Sequence, residues 1–256
     1  MRILALDTST RATSVALCGA GSEDAVLQAR DDPPSGARPG HARWLLPLAA
    51  GLLERGGCTW ADLDLIAIGR GPGTFTGLRI GIATARALAG SLGLPLAGVS
   101  TLESLALGSQ SGAGDIPPAA PGRKSLADPG IVLAVLDARR GEVFAAAWRT
   151  SPSTGELGER VMAPRVLVPE RLADWISDLG APPLAIGDGA VAFRGSIERA
   201  AAVVPTDDSE LHRVTATVHC RLARRVGGGA PGEVHPEYLR LPDAELSRQA
   251  RTQDVP

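Results

Sequence analysis

Two aspartates stand where an apolar run gives way to a polar turn. Asp7 follows Arg2 to Leu6 and precedes Thr8-Ser9-Thr10; Asp137 follows Ile131 to Leu136 and precedes Ala138-Arg139-Arg140-Gly141. A carboxylate at a strand end can hold a metal ion or a water, and the N–H and hydroxyl groups of such a turn can cradle a phosphate. A third short apolar run, Leu184 to Ile186, meets Gly187-Asp188-Gly189. Asp7, Thr8, Ser9, Asp137, Gly187 and Asp188 are thus the candidates for contact with a nucleotide cofactor. Local sequence favours a plainer role, because Asp, Ser and Thr in turns bond their own backbone.

Other chemistries find no residues to carry them. His41, His212, His219 and His235 show neither HxxxH nor HExxH spacing, so no helix face offers two histidines to a metal. No GxSxG elbow supports a serine nucleophile. Cys18, Cys58 and Cys220 are odd in number and lack CxxC spacing, which reads as buried free thiols rather than a disulfide framework or a zinc site. His41 follows a Gly/Pro loop and reads as a surface residue; Arg139 and Arg140 read as solvated turn residues. No catalytic residue is assigned. Gly71-Pro72-Gly73-Thr74-Phe75-Thr76-Gly77 joins a strand to a helix without the GK[ST] of a P-loop.

The elements that must position these residues alternate between strand and helix. The runs Arg2–Leu6 and Ala12–Leu17 read as a hairpin, and 31–40 as a Pro/Gly loop. His41 to Arg55 carries leucines at helical spacing and stops at Gly56-Gly57. Leu63–Ile68 is a buried strand feeding a helix from Thr74 to Leu92. A strand over Leu94–Val99 and a short helix over Thr101–Leu107 follow. Residues 108–130 read as a Gly/Pro-rich linker. Beyond it come strands at Ile131–Leu136 and Val143–Trp148, a helix over Pro169–Leu179, a strand at Leu184–Ile186 and a helix from Ser209 to Arg225. Asp7 and Asp137 lie about half the chain apart in the same strand–Asp–turn–strand setting, which suggests two related α/β halves. In the helix after Gly73, Gly77, Gly81, Ala85 and Ala89 form a four-residue stripe of small side chains. Two glycines weaken a helix, so close packing should offset them, on the protein's own sheet or on another chain.

Composition sets the outer limits. The 256 residues suit roughly one to two domains. Aromatic residues make up only 3%, so Leu, Val, Ile and Ala must build the core. A net charge of −2 gives no basic excess for independent RNA binding. The most apolar run, Gly77–Leu94, is broken by Arg79 and Arg86, which argues against a membrane span. No signal-peptide core is visible, and a cytoplasmic location is expected.

The stretch MRILALDTST, the segment Gly69-Arg70-Gly71-Pro72-Gly73-Thr74-Phe75-Thr76-Gly77-Leu78-Arg79-Ile80-Gly81, Leu136-Asp137-Ala138-Arg139 before Gly141-Glu142-Val143-Phe144, Gly187-Asp188-Gly189-Ala190 and Pro236-Glu237-Tyr238-Leu239-Arg240 occur in this order. Together they resemble the bacterial tRNA threonylcarbamoyladenosine biosynthesis proteins of the TsaB (YeaZ) family, over nearly the whole chain. The resemblance implies a two-lobed α/β fold of the actin/hexokinase/Hsp70-like class, a duplicated RNase H-like arrangement. The first lobe would span 1–107 plus part of the C-terminal tail, the second 131–235, with 241–256 as tail.

The resemblance further implies a non-catalytic subunit that heterodimerises with a TsaD-like paralogue. That paralogue modifies adenosine 37 of tRNAs reading codons that begin with A. A TsaE-like ATPase would join, tRNA would be met through the complex, and a homodimer or a nucleotide at the subunit interface remains open. No cofactor is expected on the chain alone. Thr101 and Leu105 stand where the paralogue's metal-binding histidines would be; Leu offers no donor atom and Thr is a poor ligand. The expected interface residues are Leu45, Leu48, Leu52, Gly77, Leu78, Gly81, Ile82, Ala85 and Ala89. The alternative is an ATP-using enzyme of the same fold class, a small-molecule kinase or ATPase.

Overall fold

A computed structural model describes residues 1–20, 22, 25–34, 36–109, 130–151 and 157–240. The first sheet holds β1 (Ile3–Asp7), β2 (Thr13–Cys18), β3 (Val26–Asp31), β4 (Leu65–Gly71) and β5 (Leu96–Ser100) in the order β3-β2-β1-β4-β5. The second holds β6 (Ile131–Arg139), β7 (Glu142–Thr150), β8 (Leu157–Leu167) and β9 (Leu184–Ile186) in the order β8-β7-β6-β9. In both, the first three strands are antiparallel and the next joins in parallel, β4 beside β1 and β9 beside β6. A lone parallel bridge from Leu184 to Val203 stands where the first sheet has its fifth strand. The duplicated halves of an actin/hexokinase-like two-lobed fold are therefore visible in the pairing itself.

Burial explains which strands were legible. Every residue of β1 and β2 is buried, whereas β3, VLQARD, has none fully buried and carries no continuous apolar signal. β8 likewise mixes exposed and buried positions at the sheet edge.

Five layers follow. Helices α1 (His41–Arg55) and α2 (Phe75–Leu92) cover the outer face of the first sheet through Leu45, Leu52, Leu78 and Ile82. Helices α3 (Thr101–Gly108) and α7 (Ala216–Val226) lie between the sheets. Helices α4 (Pro169–Asp178), α5 (Asp188–Ala192) and α6 (Arg194–Arg199) flank the second sheet's outer face, where Leu172, Ile176, Ala190 and Ile197 enter its core. Among the described residues no helix is long and apolar enough to cross a membrane.

Three expectations need correction. The second lobe does not run to residue 235, because α7 packs its apolar face on β1, β2, β4 and β5 and returns the chain to the first lobe. The helix expected over Ser209–Arg225 is a 3-10 turn at Glu210–His212 followed by α7, with Thr215 in extended conformation between them. Cys18 and Cys220 are not free thiols: they form a disulfide with Cα atoms 6.5 Å apart, leaving Cys58 free. Spacing in sequence could not reveal a partner 202 residues away. The expected tail 241–256 and most of the 108–130 linker lie outside the described residues.

Candidate functional site

Asp7 ends β1 and is buried with everything around it. Its Oδ1 accepts from the Ser9 backbone N at 3.0 Å and from Ser9 Oγ at 2.9 Å. Its Oδ2 accepts from His219 Nε2, on α7, at 2.9 Å. The other imidazole nitrogen, Nδ1, lies 2.7 Å from Ser104 Oγ, on α3. Ser104, His219, Asp7 and Ser9 thus form a chain of polar side chains, each at most 1% exposed. The Ser–His–Asp order is that of a nucleophile relay, but a sealed hydroxyl meets no substrate. The arrangement ties α3, α7 and β1 together as a fully satisfied buried network.

The same turn anchors the start of α2. Thr8 Oγ1 donates to Gly77 O at 2.7 Å, and Thr74 N donates to Ser9 O at 2.7 Å. A Cβ on Gly77 would fall 2.0 Å from Thr8 O, and one on Gly69 2.1 Å from Asp7 Oδ2. Both positions therefore exclude any side chain. Asp7, Thr8 and Ser9, the sequence candidates for phosphate contact, have their polar groups bonded inside the chain.

Of the second-lobe candidates, Asp137 and Asp188 are partly buried and Gly187 is buried. Asp137 Oδ1 accepts from Arg139 N at 2.7 Å, and Oδ2 pairs with Arg139 Nη1 at 2.8 Å. Asp188 Oδ1 accepts from Asp137 N at 3.0 Å, so these two candidates meet. Burial pushes the Asp188 carboxyl above the usual carboxylate range; the neighbouring Asp137 charge adds to this, while backbone hydrogen bonds and Arg139 oppose it. Gly187 N donates to His212 Nδ1 at 3.1 Å, while His212 Nε2 faces Pro205 O at 3.3 Å. The two contacts fix the neutral imidazole with its proton on Nε2. Burial accordingly lowers the His212 pKa.

Among the described residues, clefts open between the lobes. One, of about 410 Å³, lies between Gly73–Thr76, the Asp137–Arg140 turn and Glu237–Arg240. The 237–240 segment links the lobes there: Glu237 N donates to Arg70 O at 2.7 Å, and Arg240 Nη1 pairs with Glu142 Oε2 at 2.8 Å. Phe75 packs, tilted, against Tyr238 with ring centroids 5.2 Å apart, and the Arg79 guanidinium lies 4.2 Å over the Phe75 ring. The second cleft, of about 300 Å³, has Thr10, Arg11 and Asp32 on one wall and Asp188, Asp207 and His212 on the other.

The expected interface residues are not on the surface. Leu45, Leu52, Leu78, Ile82, Ala85 and Ala89 belong to the chain's own core, and Leu48 packs at its margin. Gly77 and Gly81 are buried as well. The small-residue stripe therefore faces the first sheet, where a Cβ on Gly81 would meet Thr8 Oγ1 at 2.2 Å and Ile68 Cδ1 at 3.1 Å. Replacing Gly81 by Leu would disrupt the monomer, not only a contact with another chain. The solvent-facing positions include Leu46 (45% exposed) and Ala50 with Arg43 and Glu54 on α1, and Ala83 and Ala87 on α2; Trp44 (36% exposed), with the Arg43 guanidinium 4.6 Å over its ring, lies on the opposite flank of α1 from Leu46. Gly90, on the same side as Ala83 and Ala87, has open space around it.

Thr101 and Leu105 are buried in α3, Leu105 against the inner face of the second sheet. Among the described residues no three His, Cys, Asp or Glu side chains converge as metal ligands. His41 is also buried rather than at the surface. Its Nδ1 lies 2.9 Å from Thr13 Oγ1, and burial lowers its pKa against the opposing charges of Asp7 and Asp31.

A family model described as TsaD: tRNA N6-adenosine threonylcarbamoyltransferase matches residues 33–186. The tRNA threonylcarbamoyladenosine biosynthesis protein TsaB of Escherichia coli K12 is 36% identical over 189 residues, 74% of this chain and 72% of that protein. The chain belongs to the TsaB family. TsaB of Bacillus subtilis is 32% identical over 179 residues, 70% of this chain and 66% of that protein. The solved structure of YeaZ from Pseudomonas aeruginosa superposes with a TM-score of 0.69 at 32% identity, covering 93% of this chain and all of that one.

In this TsaB family member, sequence reasoning found Asp7 but missed Ser104 and His219, which complete its network. His219 occurs in a helix at no metal spacing, and only tertiary contact gives it a partner. The outward face of α2 was also missed, although Ala83, Ala87 and Gly90, at helical spacing opposite the buried stripe, carry that signal.

Proposed function

We propose that this chain serves the biosynthesis of threonylcarbamoyladenosine on tRNA as a docking subunit, and that a TsaD-like partner performs the transfer to adenosine 37. The observation that carries this reading is the outer face of α1 and α2. On α1, Leu46 and Ala50 face solvent beside Arg43 and Glu54, and on α2 the exposed face carries the small residues Ala83, Ala87 and Gly90. Small residues on an exposed helix face let a second helix pair approach closely. The TsaD-type family match and the TsaB relatives make a TsaD-like chain the partner to test. Support for a non-catalytic role comes from the Asp7 turn, whose carboxylate and hydroxyls are bonded within the chain and sealed from solvent. The ATP-using alternative gains no comparable observation.

Ala83→Arg and Ala87→Asp place charge on the docking face without entering the core. Sedimentation of each variant with a TsaD-like subunit should show loss of the heterodimer, with an unchanged circular dichroism spectrum and unfolding midpoint. A tRNA modification assay should show product only when both subunits are present and able to associate. Modification by this chain alone, or full association of both variants, would overturn the reading.

A further inference from the structure

We propose that the Cys18–Cys220 disulfide is a redox lock on α7, set by exchange with low-molecular-weight thiols and disulfides. Cys18 ends β2 and Cys220 sits in the last helix, so the bond closes a loop of 202 residues. That loop contains the whole second lobe. Covalent closure of so long a loop strongly restricts the unfolded chain and holds α7 on the first sheet.

α7 needs holding, because the chain must return from the second lobe to seat it. Besides the disulfide, its polar ties to the first lobe include His219 to Asp7 at 2.9 Å, Ala216 N to Ser14 Oγ at 3.0 Å and Thr217 Oγ1 to Gln28 Oε1 at 3.1 Å. Cys220 follows His219 directly. Lifting α7 to expose the sulfurs therefore removes the imidazole from Asp7. The Asp7 turn in turn fixes the start of α2 through Thr8–Gly77 and Ser9–Thr74. The redox state of one buried bond thereby reaches the N-terminus of α2 by a continuous set of contacts.

The chemistry balances with a named co-reactant. Locking transfers two electrons and two protons from the Cys18 and Cys220 thiols to glutathione disulfide, which leaves as two glutathione thiols. Unlocking is the reverse exchange, with a dithiol such as dithiothreitol ending as its cyclic disulfide. Cys18 is 3% and Cys220 2% exposed, so attack on either sulfur requires α7 to open first. Exchange at either sulfur then proceeds only through local opening of α7. The lock stands apart from the docking reading, since it concerns the chain alone.

The test equilibrates the full chain with glutathione disulfide or with dithiothreitol, unfolds it, alkylates it with iodoacetamide and measures the intact mass. After oxidation only Cys58 is expected to be modified, carrying either the alkyl group or glutathione, and after reduction three alkyl groups are expected. Circular dichroism melting should place the reduced chain roughly 10 °C below the oxidised one. Hydrogen exchange in α7 should quicken at least about tenfold on reduction, with α4 unaffected. Cys220→Ala should melt near the reduced wild type and ignore the redox buffer. Three alkyl groups on the oxidised chain, or equal midpoints for the two wild-type forms, would overturn the proposal even if the variant fails to fold.

Discussion

Removing the imidazole of His219 isolates a buried carboxylate. Asp7 is 1% and His219 0% exposed, and their contact is 2.9 Å. In His219→Ala, Asp7 keeps only the donors of Ser9, Ser104 Oγ loses its partner, and a void opens beside Gly69. Breaking a buried pair by deleting one member costs about 3–5 kcal/mol, since the remaining charge stays desolvated. Against a typical total of about 5–15 kcal/mol, that is a large share of the stability. Urea unfolding followed by circular dichroism at pH 7 should show a markedly lower midpoint with little change in slope. The double variant Asp7→Asn/His219→Ala tests the cause, because a neutral amide is far cheaper to leave under-bonded. Its loss should fall short of the two single losses added together, with a coupling of roughly 1–3 kcal/mol. A loss below about 1 kcal/mol for His219→Ala, or strict additivity, would refute the reasoning.

Three further outcomes follow from the geometry. Gly81→Ala should destabilise the chain by about 1–3 kcal/mol, since its Cβ would press on Thr8 Oγ1 at 2.2 Å, whereas Gly90→Ala should be neutral or gain up to roughly 1 kcal/mol in open space; urea midpoints of the pair separate close packing from helix propensity. Asp188→Asn should raise stability at pH 7: a carboxyl raised by burial loses folding free energy as pH climbs from about 3.9 through its native value, and the amide keeps the acceptor for Asp137 N, so the gain should vanish below about pH 4 in a pH series of midpoints. His41 and His212 have pKa values below 6.5, so the unfolded state takes up protons that the native state refuses; stability should fall as pH drops below about 6.5, and NMR titration should show both histidines titrating late.

The sequence alone determined the elements that are buried on both faces. β1, β2, β4 and β6 consist almost wholly of apolar residues because sheet and helix cover them from either side, and that composition is readable without coordinates. The repeated strand–Asp–turn–strand pattern likewise marked the two lobes. Edge strands β3 and β8 were lost because an edge is half solvated and its side chains carry no continuous run.

What the residues at the site do was decided by tertiary structure. Periodicity placed Gly77, Gly81, Ala85 and Ala89 on one face of α2, but it is blind to which neighbour that face meets. The fold turned the face onto Thr8 and Ile68, and gave Ala83 and Ala87 to solvent. Local sequence favoured an Asp7 turn bonded to itself, and Ser9 supplies that bond; His219, brought from 212 residues away, adds a partner that no local pattern shows. Cys18 found Cys220 by the same return of α7. Local sequence encodes which groups want burial or a partner, while the identity of that partner depends on contacts between segments far apart in the chain, which only the packed lobes bring together.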